Sequence, residues 1–458
     1  MNKKFIYPLM IVLFCSALAF IFFRFKGKES AEERTFYELQ ERKGSMANTP
    51  EWAATRNTFE TLSRAVRENP DDKKSALGIA TVFIQEARVT GNYAYYDKAA
   101  LKQINHVLQL EPNNFEALTL KSLVYLSQHH FADGLSIATQ AQKINPNNSF
   151  IYGLLVDANV ELGNYPEAVR DADKMVSIRP DLRSYSRISY LREIHGDYPG
   201  AIEAMQMAVD AGMPGEEGTE WTRVQLAHLY ESTGDIQRAA MHYTIALNER
   251  PGYAYALAGL GKIAASKKDF KTALADYLRA DSLLSDYSVR EELIDLYRQM
   301  GEKKKADSLS AVVIAAMQSD VRAGNSNENI GHYADKELAY AYLKINENDK
   351  ALEHGIAEYN RRPDNIETNE TVAWVYYKMG RYEDALPYIG KALRTDCKNP
   401  SLLGHAGLIY THAGNTAKGK DLLTEALGHN PLIAADLQEE CQHVLMQLKQ
   451  TISPSKQA

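Results

Sequence analysis

The chain has 458 residues, a formal charge of −7 and 27 tyrosines. Ala and Leu are the most frequent residues and strand-like alternation is scarce, which fits an all-helical chain. Setting aside five basic residues in the first 28 leaves −12 on the remainder. Nucleic-acid affinity rests on clustered Lys and Arg, so no nucleic-acid partner is expected.

The chain opens on Phe5–Phe23, nineteen residues without a charge, flanked by Lys3 and Lys4 on one side and Arg24, Lys26 and Lys28 on the other. As a helix this stretch is about 28 Å long, close to the roughly 30 Å hydrocarbon thickness of a bilayer. The expectation is a retained single-pass membrane anchor at residues 5–23, with the rest extracytoplasmic (periplasmic). Two alternatives stay open: a secretory signal cut after Ala19, from the small residues Ala17 and Ala19, and lipidation at Cys15. Residues 1–28 then form the signal-anchor and 29–50 a charged stalk.

Beyond the stalk a period dominates. Pro112, Pro146, Pro180 and Pro214 follow one another at intervals of 34, and the step recurs from Pro363 through Cys397 to Pro431. Proline lacks an amide proton and clashes with the preceding turn, so periodic proline marks a periodic helix boundary. A second series places alanine five residues after a glycine: Gly163 and Ala168, Gly196 and Ala201, Gly234 and Ala239, Gly301 and Ala306, Gly380 and Ala385. Glycine suits the left-handed residue that ends a helix, and alanine lets two crossing helices approach. Each unit reads as helix A, tight turn, helix B and a proline-marked turn.

The set Leu226, Ala227, Tyr230, Ala239, Tyr243, Ala246 and Pro251 resembles the tetratricopeptide repeat, and further copies run from about Ala76 to Pro431. The resemblance implies an all-α, right-handed α-solenoid of about ten helix–turn–helix repeats, here with an N-terminal transmembrane helix. The spacing between Ala306 and Ala351 leaves surplus residues, so a polar linker at 318–331 is expected to divide an N-terminal array (51–317) from a C-terminal array with its capping helix (332–450). Residues 451–458 form a tail.

Chemistry is scarce. Gly414 to Lys420 fits a phosphate-binding loop in outline, but Asp421 stands where Ser or Thr must hold magnesium, and helix rather than strand precedes it. His405 and His412, the adjacent His129 and His130, and His429 and His443 lack the local spacing of a metal set. Three cysteines without a C-x-x-C pair suggest neither zinc nor disulfides. The expectation is a protein that is not an enzyme, with no cofactor and no metal.

In tetratricopeptide proteins the A helices line a concave groove, and carrying that frame over selects Tyr190, Trp221, His228, Tyr255, Tyr333, Lys336, Tyr340, Glu370, Trp374 and Tyr377 as groove residues. Glu193, Glu231, Lys262 and Glu367 fall on the same face. Aromatics with interspersed charge suit an extended peptide or a partner helix. The implied function is a membrane-tethered scaffold for protein or peptide partners in an envelope complex, with an extracytoplasmic small-ligand or glycan-binding protein as the alternative. Oligomeric state is unknown from sequence.

Overall fold

The computed structural model describes residues 14, 16–17, 36–326, 331–428 and 431–452. It divides into two compact units, Met1–Glu41 and Arg42–Ala458. In the first, the described residues are Phe14, Ser16 and Ala17, which are helical, and an irregular stretch at 36–41.

The second unit contains a short 3-10 turn (Gly44–Asn48) and twenty-two α-helices, with no strand among the described residues. A single helix, α1 (Pro50–Glu68), leads. Ten helix–turn–helix pairs follow: α2 (Lys73–Thr90) with α3 (Tyr93–Leu110), α4 (Phe115–Ser127) with α5 (Phe131–Ile144), α6 (Ser149–Leu162) with α7 (Tyr165–Ile178), α8 (Leu182–Ile194) with α9 (Tyr198–Asp210), and α10 (Glu217–Ser232) with α11 (Ile236–Glu249). The series continues through α12 (Ala254–Ser266) with α13 (Phe270–Leu283), α14 (Tyr287–Gln299) with α15 (Lys303–Ser326), α16 (Asp335–Lys344) with α17 (Asn348–Arg361), α18 (Ile366–Lys378) with α19 (Tyr382–Ala392), and α20 (Pro400–His412) with α21 (Thr416–Leu427). A last helix, α22 (Ala435–Ile452), packs on α20 and α21. The helical solenoid read from the 34-residue period is therefore the fold.

Local chemistry explains the boundaries. After Pro112, Pro146 and Pro363 comes an Asn whose side chain accepts from the first amides of the next A helix: Asn114 from Ala117 at 2.9 Å, Asn148 from Phe150 at 2.9 Å, Asn365 from Thr368 at 2.9 Å. Such a cap contributes about 0.5–2 kcal/mol relative to alanine. All ten A–B turns pass through one residue with positive φ; seven are glycine and the others are His129, Lys268 and Asn346. Ala168, Ala201, Ala239, Ala306 and Ala385 are completely buried where the paired helices cross.

The superhelix closes on itself. The A–B turn of each of the first five pairs meets the loop that precedes the helix pair, or final helix, about six periods later in the chain. The Thr90 carbonyl accepts from the Ser285 amide at 2.9 Å, Gln128 from Tyr333 at 3.2 Å, and Glu231 from Leu432 at 3.0 Å. The Tyr165 hydroxyl accepts from the Ile366 amide at 2.9 Å, 201 residues away. At the same level Arg362 pairs with Glu161, again 201 residues apart. Gly163 packs so tightly there that a Cβ would lie 2.2 Å from the Asp364 carbonyl oxygen. A seam of hydrogen bonds thus joins successive turns and encloses the lumen.

Three expectations change. The surplus residues at 318–331 do not form a polar linker through their length: α15 runs on to Ser326, with Met317 and Val321 buried beside Leu338 and Tyr342. Ile314, Met317 and Val321 recur at helical spacing with no breaker among them, so the extra length extends a B helix; residues 327–330 lie outside the described residues. The stalk is also shorter than 29–50. Arg42 is buried, donating from Nε and Nη2 to Glu86 at 2.9 and 2.5 Å, and Met46 packs against Leu283 and Leu284. Finally, no helix among the described residues is long and apolar enough to cross a membrane, so the expected single-pass anchor and its periplasmic solenoid are not supported. The segment Phe5–Phe23 that raised this expectation lies, except for Phe14, Ser16 and Ala17, outside the described residues.

Candidate functional site

The lumen holds a cavity of about 660 Å³. Its wall is built from the A helices α8, α10, α12 and α14, and its floor from Asn399–Ser401 and Leu432–Ile433 of the next superhelical turn. Helical periodicity brings the α10 contribution together, since Trp221, Gln225, His228 and Ser232 recur at steps of three and four on one face. Tyr190 and Glu193 from α8, Tyr255 and Lys262 from α12, and Glu292 from α14 complete the polar and aromatic lining.

Four groove residues read from the sequence, Tyr190, Trp221, His228 and Tyr255, are thus gathered in one cavity. Trp221 keeps 37% of its surface accessible, and that surface opens onto the lumen. His228 also faces the cavity, where burial, opposed by the Glu231 charge, holds its imidazole below the usual histidine range. Glu231 accepts from the Tyr243 hydroxyl at 2.7 Å and from Lys262 Nζ at 2.9 Å. Glu292 accepts from the Tyr277 hydroxyl at 3.1 Å. Glu193 is pushed up to about 7 by burial and by the nearby Glu367 charge. Three carboxyl groups against one ammonium make the lining acidic.

Three further residues of the set do not line this cavity. Lys336 Nζ binds Glu367 at 2.7 Å, and the Tyr190 hydroxyl reaches the same carboxylate at 3.5 Å, so Glu367 links α8 to the second turn. Lys336 holds the Glu367 carboxyl below its ordinary range, its charge outweighing burial. Tyr333 belongs to the seam: its ring stacks on His130 with centroids 4.1 Å apart, and Arg361 lies 4.3 Å above it. Tyr340 is partly buried against the C-terminal core.

The last three residues are occupied elsewhere. Glu370 accepts from His405 Nδ1 at 2.8 Å. Trp374 and Tyr377 are not groove surface: both are buried at 7% exposure, stacked on each other at 4.8 Å, with His405 3.9 Å from Trp374. Tyr377 donates to Glu440 of α22 at 2.7 Å, so the closing helix covers the face an open array would expose. Sequence reasoning missed Glu292 and the floor residues. The floor lies more than 100 positions from every part of the wall, and only the superhelical pitch brings the two together.

A family model described as tetratricopeptide repeat matches residues 224–287 and 373–432. The first stretch contains the motif from Leu226 to Pro251, and the tetratricopeptide repeat family is supported there. The small glutamine-rich tetratricopeptide repeat-containing protein 2 of Saccharomyces cerevisiae is 34% identical over 83 residues, 18% of this chain and 23% of that protein. The photosystem I assembly protein Ycf3 of a Synechococcus strain is 35% identical over 108 residues, 23% of this chain and 55% of that protein. The chain thus spans about half or less of the curated relatives it matches. Among solved structures, a tetratricopeptide repeat protein from Parabacteroides merdae aligns over 53% of this chain and 92% of its own at 18% identity, TM-score 0.41. A human IFIT1 dimer solved with PPP-AAAA aligns over 75% and 79% at 16% identity, TM-score 0.44. At these scores neither bears on what this chain binds. Tetratricopeptide proteins mediate protein–protein interactions, and a scaffold role accords with that.

Proposed function

We propose that this protein is a non-catalytic scaffold that receives an extended, basic segment of a protein partner in the lumenal cavity. The observation that carries this reading is the composition of one enclosed wall: Trp221, Tyr190 and Tyr255 beside Glu193, Glu231 and Glu292. Aromatic faces attract Arg and Lys head groups, and a low-dielectric wall strengthens the attraction to carboxylates. One turn of helix, 10–12 Å across with a 5.4 Å pitch, occupies roughly 500 Å³, so the cavity suits an extended segment better than a long helix. The Synechococcus relative is a photosystem I assembly protein, which supports an assembly role for a chain of this kind.

The test is a basic and an acidic peptide library screened against the full chain, with Trp221→Ala as the control. A buried interface tryptophan commonly contributes at least about 2 kcal/mol, so the variant should bind the selected peptides roughly thirtyfold more weakly at an unchanged melting temperature. Equal selection of acidic and basic peptides would overturn the reading. The second reading, a small ligand or glycan, is favoured by one observation: the cavity volume falls within the roughly 300–1,000 Å³ of small-molecule sites. Thermal shifts from neutral sugars that Trp221→Ala abolishes would select it over the peptide.

A further inference from the structure

His129, in the A–B turn between α4 and α5, meets His332 and Glu337 at the entry to α16, and donor atoms from the three side chains lie within 4.8 Å of one another. We propose that these residues form a zinc-type divalent metal site that fastens the first superhelical turn to the second. The site stands apart from the peptide cavity and does not depend on its assignment.

Each ligand is prepared by its surroundings. His129 Nδ1 lies 3.1 Å from the Tyr333 carbonyl oxygen, a bond in which the nitrogen must donate its proton. That fixes the tautomer with the lone pair on Nε2, the arrangement metal-bound histidines commonly use. The Glu337 carboxylate has one oxygen, Oε2, that is buried with no hydrogen-bond partner. Leaving such an oxygen unpaired is costly, and a cation would satisfy it. The His129 and His332 rings pack with centroids 4.1 Å apart, which places two imidazoles on one spot.

The two neighbouring cations are already neutralised: Arg362 by Glu358 and Glu161, and Lys336 by Glu367 at 2.7 Å. The local field therefore does not bar a divalent ion. Two imidazoles and one carboxylate, with a fourth position left to water, match the ligand preference of zinc. Bonds of about 2.0–2.1 Å set tetrahedral donor separations near 3.3 Å, so binding draws the three groups together by up to about 1.5 Å.

The backbone adds an independent sign. His129 has φ +62°, at the turn position that glycine fills in seven of the ten pairs. Glycine is less strained in that conformation, and strained residues concentrate at functional positions. The non-glycine residues Lys268 and Asn346 hold the same conformation at their own turns, but neither brings an imidazole to the seam.

The experiment uses the untagged full chain, stripped with a chelator and titrated with ZnCl2 by calorimetry and thermal melting. Co²⁺ serves as a spectroscopic probe of coordination. Expected are one equivalent of zinc, a raised melting temperature, and at least about a hundredfold weaker binding in each of His332→Ala, Glu337→Gln and His129→Gly. His129→Gly keeps the left-handed turn, so loss of zinc binding there does not reflect misfolding. Absence of a one-equivalent isotherm, or equal zinc affinity in wild type and all three variants, would overturn the proposal.

Discussion

Gly163→Ala probes the seam between superhelical turns, and Gly380→Ala supplies its control. Both glycines sit at the same turn position with positive φ, +80° and +71°. An alanine at either pays the left-handed cost of about 1–2 kcal/mol. Only at Gly163 does the new Cβ collide with backbone, at 2.2 Å from the Asp364 oxygen and 2.8 Å from the Asn365 nitrogen; at Gly380 nothing lies within 4 Å. Relieving that overlap requires the turns to part, which strains the Ile366–Tyr165 bond at 2.9 Å and the Arg394 bond to the Gly163 carbonyl at 2.7 Å. Overpacking of this kind costs about 1–3 kcal/mol, so Gly163→Ala should be the less stable variant by at least about 1 kcal/mol. Native-state hydrogen exchange at the Ile366 amide is the direct assay, because local opening is read there without assuming that a repeat array unfolds in two states. Faster exchange at Ile366 in Gly163→Ala alone is expected. Identical exchange in the two variants would refute the closed seam.

Trp374→Ala should destabilise the C-terminal pairs by about 3–5 kcal/mol, because the ring is buried between Tyr377 and His405; an unchanged melting curve would return it to the surface. Glu291 is pushed up to about 7 by burial, and its Oε1 has no hydrogen-bond partner. The folded state therefore holds this proton more tightly than the unfolded state. The resulting stability is fully present below the unfolded value near 4.5 and is lost as pH rises through 7. Glu291→Gln should match wild type near pH 4.5 and exceed it by up to about 3 kcal/mol at pH 8. Urea unfolding midpoints at the two pH values test this, and a gap that fails to widen would show the carboxyl to be solvated.

The helix–turn–helix order was legible because each of its signals is local. Proline, the turn glycine and the crossing alanine lie within one 34-residue unit, and each acts through contacts inside that unit or with the next. The groove face at Tyr190, Trp221, His228 and Tyr255 was legible through the resemblance to the tetratricopeptide repeat, whose frame places these positions of successive A helices on one face. Trp374 and Tyr377 satisfied the same frame and yet are buried. Their face is covered by α22 through Glu440, and no pattern within their own repeat records which helix will lie against it. The polar residues after Gln318 read as linker because composition was weighed above the apolar period of Ile314, Met317 and Val321.

What the sequence could not show depends on a rotation accumulated over about six repeats. A small angle per helix pair decides whether the turns of the superhelix touch, and no single unit encodes that angle. Once they touch, partners 201 residues apart become neighbours: Glu161 with Arg362, Tyr165 with Ile366, His130 with Gly331. The same rotation converts an open groove into an enclosed cavity, because Leu432 and Ile433 then lie across from Trp221 and His228. Burial on this wall is the main cause that pushes the Glu193 carboxyl up to about 7. A partner must therefore enter from an end of the lumen or open the seam. In the second route binding would be coupled to the stability of the turn-to-turn contacts, and weakening the seam at Gly163 would accelerate association while leaving the cavity residues intact.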